Sequence, residues 1–129
     1  MRCTVSLLLA AAFLVAGCDN GGTTVRGPAG QTLTLRTPQT FVIQRGTTKP
    51  LVVDLDREGF SGPVRVAIMD LPQGVRARET AQRVETTGAT FLIRADRDAA
   101  LVSSHRVRIS AQGPGGMEAI REISMNVTD

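Results

Sequence analysis

Ser103, Ser104 and His105 place two hydroxyl groups beside the chain's only imidazole. These are the residue types that act as nucleophile and general base, and the chemistry would be hydrolysis. Their spacing argues against it. Successive side chains of a strand point to opposite faces, so Ser104 and His105 meet only across a special turn. No glycine-flanked elbow surrounds either serine. The plain reading is a solvated strand start, and no catalytic residue is assigned. Asp54, Asp56 and Glu58 alternate along one stretch, and Asp96 and Asp98 lie in another. Calcium needs about six to eight oxygen ligands, and spacing alone does not make these carboxylates converge. A carboxylate pair for glycoside cleavage would also need a cleft with sugar-stacking aromatics. The chain has no Trp, no Tyr and 4 Phe. Neither a metal nor a cofactor is therefore expected, and the carboxylates read as a solubilising surface.

Cys18 carries a different chemistry. Arg2 makes a positive start, Val5 to Ala16 is apolar apart from Ser6, and the small residues Ala16 and Gly17 precede the cysteine. That order is the pattern of a secretory signal over residues 1–17. The apolar run is shorter than the ~20 residues that a spanning helix needs. Leu14-Val15-Ala16-Gly17-Cys18 resembles a bacterial lipobox. The resemblance implies a diacylglyceryl thioether on the Cys18 sulfur and cleavage before Cys18. Two or three acyl chains then hold the protein to the lipid bilayer, where one alone, at ~0.8 kcal/mol per buried methylene, is marginal. Asp19 and Asn20 follow directly, and an acidic residue there resembles the signal that retains lipoproteins in the inner membrane. The expected location is the cell envelope, with the protein lipid-anchored and facing the periplasm or the exterior.

Bulk properties narrow the rest. Of 129 residues, those after the signal are enough for one domain. Cys3 leaves with the signal and Cys18 is spent on lipid, so the mature domain has no disulfide and no cysteine metal site. The net charge of +3 is small and mixed with acids, which argues against nucleic acid as a partner. Residues 18–30, with Gly21, Gly22, Gly27, Pro28 and Gly30, read as the lipidated cysteine and a flexible tether. Such a segment would reach roughly 20 Å and lift the domain clear of the headgroups.

From Gln31 onward the positioning elements are short strands. Leu33 and Leu35 share a face; Phe41 and Ile43 keep that parity beyond Pro38. Leu51, Val53 and Leu55 alternate with polar neighbours, as do Val64, Val66 and Ile68. Leu71-Pro72-Gln73-Gly74 reads as a turn with Pro72 at its second position and Gly74 at its fourth. Val75 to Glu79 and Arg83 to Thr86 read as charged edge strands. Phe91, Ile93 and Ala95 form a further inward set, followed by Val107, Ile109 and Ala111. Gly113-Pro114-Gly115-Gly116 reads as a tight connection to Ile123, Met125 and Val127. Ile120 and Arg121 break the parity, which predicts a bulge there. Seven to nine short strands with near-regular turns predict an all-β fold, a single β-sandwich over residues 31–129.

Arg45-Gly46, Gly59-Phe60-Ser61-Gly62-Pro63-Val64 and Leu71-Pro72-Gln73-Gly74-Val75 occur in that order. With the strands around them they resemble bacterial immunoglobulin-like modules of cell-envelope proteins. The resemblance implies an immunoglobulin-like sandwich, a binding, adhesion or structural role, and no catalytic residues. Phe60 is expected to plug one end. Arg65, Arg106 and Arg108 fall outward on strands that pair in such a sheet, a candidate basic patch for an acidic envelope polymer or an envelope protein. Glu118 and Glu122 on the next strand would neutralise it across the ladder. The function expected is a membrane-anchored, non-catalytic envelope lipoprotein. The alternative is a carbohydrate-binding module on the same anchor, which the missing Trp and Tyr oppose.

Overall fold

Side chains that alternate apolar and polar bury one set only in a sheet whose inner face is covered. A computed structural model describes residues 15–18 and 22–129. Residues 1–14 of the expected signal, and Asp19 and Asn20, lie outside the described residues. The strands in chain order are β1 (Val15–Cys18), β2 (Gly22–Arg26), β3 (Thr32–Arg36), β4 (Thr40–Gln44) and β5 (Thr48–Glu58). They continue as β6 (Val64–Met69), β7 (Val75–Ala77), β8 (Ala81–Val84), β9 (Gly88–Ala95), β10 (Val102–Gln112) and β11 (Glu118–Thr128). A single 3₁₀ turn at Pro114–Gly116 joins the last two.

The strands form two sheets, β1-β2-β3-β5-β9-β7 and β4-β11-β10-β6-β8. The fold is all-β, one sandwich, as the turn spacing predicts. Pairing is antiparallel except between β4 and β11, which run parallel. The chain changes sheets at Thr37-Pro38-Gln39, where proline ends β3 and the next strand opens with Ser124 N–H donating to Gln39 O at 2.9 Å. The core is built from the inward sets: Leu33, Leu35, Leu51, Val53, Phe91 and Ile93 of one sheet face Ile43, Val66, Ile109, Ile123 and Met125 of the other. Each such burial stabilises by about 1.5–3 kcal/mol relative to exposure. Phe60 is half-buried against this cluster at one end, where the sequence placed it.

Nine strands, β3 to β11, form within residues 31–129, in keeping with the seven to nine expected there. Three local readings are corrected. Gly22–Arg26, expected within the flexible tether, is β2; it pairs with β3 from Gly22–Arg36 to Arg26–Thr32. Its alternation supplies the reason: Val25 is 2% exposed and Thr23 8%, both on the core side. The bulge predicted at Ile120 and Arg121 is not there. The β10–β11 register runs unbroken from His105–Met125 to Gln112–Glu118, and shifts between Val102 and His105 instead. Arg121 takes an inward position and extends Nη1 to 3.5 Å from Gly22 O, while Ile120 stands outward. Finally, the turn before β7 is closed by Val75 N–H donating to Pro72 O at 3.0 Å. Pro72 is therefore its first residue, and Gly74, with φ +83, its third, where a type II turn requires positive φ.

Arg57 fastens one end of the sandwich without a carboxylate. Its Nε donates to Gly62 O at 3.0 Å, Nη1 to Thr86 O at 2.6 Å and Nη2 to Val84 O at 2.7 Å. One planar fork thus joins β5, the turn after it and the end of β8. Arg57→Met is expected to cost about 2 kcal/mol, since charged hydrogen bonds to half-buried carbonyls go unreplaced. Arg57→Lys should recover less than half of that, because a compact ammonium lacks the fork. Urea midpoints of the three proteins measure both effects.

Candidate functional site

The expected basic patch lies on the outer face of the five-stranded sheet. Inward neighbours set its parity: Val107 and Ile109 are buried, so Arg106 and Arg108 between and before them are exposed. Arg108 stands opposite Glu122 on one side and Met69 on the other. Arg106 Nη1 is 3.5 Å from Glu122 Oε2, an exposed pair. Glu122 therefore neutralises this part of the patch, as the cross-strand reading anticipates. Glu118 acts elsewhere, accepting from Gln112 Nε2 at 2.7 Å.

Arg65 does not join the other two. It stands opposite Gln112 on β10, four residues along the strand from Arg108. On its other side it faces Arg83 of β8 directly. Two like charges opposite one another on a ladder repel. Among the described residues the ion pair here is that of Glu85, 3.8 Å from Arg83 Nε, with both side chains 72% exposed. Such an exposed pair contributes little. Beside Arg65 and Arg83 lies an open cleft of about 620 Å³, walled by Pro63 and Pro114 and reached by Ser61, Gln82 and Gln112. The arrangement suits an anionic group held by two guanidiniums. Sequence reading assigned Arg83 to a charged edge strand and missed this partnership, because no local pattern links positions 65 and 83.

A second basic cluster lies on the outer face of the other sheet. Arg76 stands opposite Arg94 in the β7–β9 ladder. Asp96 lies between them, 2.8 Å from Arg76 Nη2 and 4.0 Å from Arg94 Nε. The hydrogen bond that Arg76 donates to Asp96, and then the charge of that carboxylate, raise the Arg76 pKa above the ordinary value. Arg78 extends the cluster, its backbone N–H donating to Leu92 O at 3.0 Å. With Thr48 and Leu92 these residues line a shallow groove of about 520 Å³.

The remaining candidates do not assemble. Ser104 occupies the β10 bulge with φ +57, and its N–H donates to Asn126 Oδ1 at 2.6 Å. His105 Nε2 lies 2.7 Å from Asp70 O. A carbonyl only accepts, so Nε2 carries the hydrogen there, and the ring is engaged by the backbone and not by a serine. Asp56 is 3.6 Å from Arg36, which leaves it tied to a guanidinium. Among the described residues no three His, Cys, Asp or Glu side chains converge as metal ligands.

Cys18 ends β1 and stands opposite Gly22 of β2. The row continues through Arg36 and Asp54 to Gly88, so this position lies at the edge of the six-stranded sheet. No helix among the described residues is long and apolar enough to cross a membrane. A scan against protein-family profiles finds no match for the chain. A search of curated proteins finds no relative.

Proposed function

We propose that the protein is a cell-envelope lipoprotein, anchored through acylated Cys18, whose immunoglobulin-like module binds or braces another envelope component without catalysis. The observation that carries this reading is Leu14-Val15-Ala16-Gly17-Cys18 at the end of an apolar run, with a folded domain beginning four residues later at Gly22. Cleavage before Cys18 removes Val15 to Gly17 of β1 and leaves the acylated residue beside β2. Strand order supports the immunoglobulin-like assignment: β3-β5-β9-β7 against β11-β10-β6 follows the two-sheet arrangement of that fold. His105, held by a backbone carbonyl, supports a non-catalytic role. Asp19 directly after the cysteine favours retention at the inner membrane.

The presenting surface is the outer face of the five-stranded sheet, with Arg65, Arg106 and Arg108, and Arg83 added to them. Its partner is an acidic envelope polymer or an acidic surface of an envelope protein. Metabolic labelling tests the anchor: palmitate is expected on the wild-type protein, and its absence would end the lipoprotein reading. Arg106→Glu/Arg108→Glu tests the face. The double reversal puts two new acids beside Glu122 and should abolish retention on anionic envelope material. Unchanged retention would dismiss this patch as the binding surface. Polysaccharide, in place of protein, recovered with the wild-type domain would favour a carbohydrate-binding role.

A further inference from the structure

The acyl anchor and the folded domain are separated by very little chain. With β2 part of the sandwich, only residues 19–21 lie between Cys18 and Gly22. A fully extended chain covers about 14 Å over those four peptide steps. An acylated Cys18 would therefore hold the domain against the headgroups, with one face toward them. β2, the strand that follows the anchor, belongs to the six-stranded sheet, so the anchor is continuous with that sheet and not with the other.

The outer face of the six-stranded sheet has the chemistry of an interface. Pro50 of β5 stands opposite Leu92 of β9, and Val52 opposite Thr90. Val52 is 52% exposed and Leu92 38%, an uncovered apolar group in the middle of a sheet face. Arg76, Arg78 and Arg94 rim it on the β7 side, with Asp96 between Arg76 and Arg94, Asp98 acting on Arg76 and Glu79 beside Arg78. The acids of β5, Asp54, Asp56 and Glu58, lie toward the strand's other end, where Arg36 is 3.6 Å from Asp56 and Arg26 occupies the same row as Glu58. Across the sandwich Val42 and Leu101 line an open cleft at one margin with Val102 and Asn126, away from the middle of the sheet face. Met69 faces Arg108, Ile120 faces Ser110 and Val42 faces Asn126.

We infer that the outer face of the six-stranded sheet rests on an anionic phospholipid bilayer, with Val52, Pro50 and Leu92 entering the headgroup layer and Arg76, Arg78 and Arg94 meeting lipid phosphates. The inference rests on the lipid-anchor reading. Apolar contact and electrostatic attraction combine at such surfaces. The opposite face, with Arg65, Arg83, Arg106 and Arg108, is then turned away from the membrane and toward partners.

The lipidated protein gives the test a clean label. Cys3 departs with the signal and Cys18 is acylated, so an introduced cysteine is the free thiol. Leu92→Cys and, on the other face, Ile120→Cys are labelled with a fluorophore and placed in vesicles of phosphatidylethanolamine and phosphatidylglycerol containing a nitroxide lipid. Quenching is expected at position 92 and not at 120. Arg78→Glu/Arg94→Glu should cut the quenching at 92 several-fold, and added salt should act in the same direction. Equal quenching at the two positions, or none at 92, overturns the inference. So does a label at 92 that is shielded only when envelope proteins are added, which would make this face a protein-docking surface. The mass of the same preparations shows separately whether acyl chains are present. Lipid-dependent quenching without them would sink the anchor and keep the face; acyl chains without quenching would do the reverse.

Discussion

Cys18→Ser is expected to move the protein from a membrane pellet that resists alkaline extraction into the extractable fraction. Thioether formation requires the sulfur, and a hydroxyl at this position blocks acylation and the cleavage that follows it. The loss is large because each acyl methylene contributes about 0.8 kcal/mol, so two chains bind far more tightly than any exposed patch on the domain. The uncleaved variant keeps the apolar run from Val5 to Ala16. That run is well short of the ~20 residues needed to span, so it does not substitute for the anchor. Mass spectrometry gives a second readout. The wild-type chain should begin at Cys18 and carry acyl mass, while the variant retains residues 1–17. Equal resistance of the two proteins to alkaline extraction would refute the lipid anchor.

Gly74→Ala carries the largest expected loss of stability. Gly74 has φ +83, and a Cβ built there would stand 2.6 Å from Ala99 Cα and 2.9 Å from Ala99 Cβ. The obstruction is backbone, and it cannot swing aside. Asp96 N–H donates to Gly74 O at 2.9 Å and Ala100 N–H to Gln73 O at 3.2 Å, so the turn and the loop after β9 are stitched together. The left-handed conformation costs roughly 1–2 kcal/mol for a residue with a side chain. Overpacking adds about 1–3 kcal/mol. A total near 3 kcal/mol would lower the Tm by about 10–20 °C in a domain of this size. Gly116→Ala separates the two terms. Gly116 has φ +78 but nothing within 4 Å of its would-be Cβ, so only the conformational cost applies. Thermal melts in which both variants fall equally would show that Ala99 yields, contrary to this account.

The readings that held are those with short-range physical causes. Alternation of Leu33 and Leu35, or of Val64, Val66 and Ile68, reports a half-buried strand wherever its partner lies. Val75 to Glu79 and Arg83 to Thr86 carry the charges of edge strands, and β7 and β8 are edges of the two sheets. Errors arose where neighbours decided the outcome. Gly22 to Arg26 has the glycine-rich flank of a linker, and only β3 alongside it gives Val25 a core to enter. Ile120 and Arg121 look like a slipped register. The unbroken ladder puts the arginine on the inward parity, where Nη1 comes within 3.5 Å of Gly22 O. The basic surface was legible as residue type and outward parity, but its division was not. Arg108 beside Glu122, Arg65 beside Arg83 and Arg76 beside Arg94 are matters of ladder register.

By itself the chain of residues determined that this protein is built of strands, where most of its turns fall, and that Cys18 follows an apolar run ending in small residues. These properties are written in spacings of two residues and in contiguous motifs, which depend on covalent neighbours alone. Tertiary structure decided that Gly22 to Arg26 joins the sheet, that the arginines form separate clusters on opposite faces, and that Leu92 and Val52 share an uncovered patch. Those follow from which strands lie side by side and in what register, and cross-strand pairing joins residues far apart in sequence through hydrogen bonds that no local pattern records.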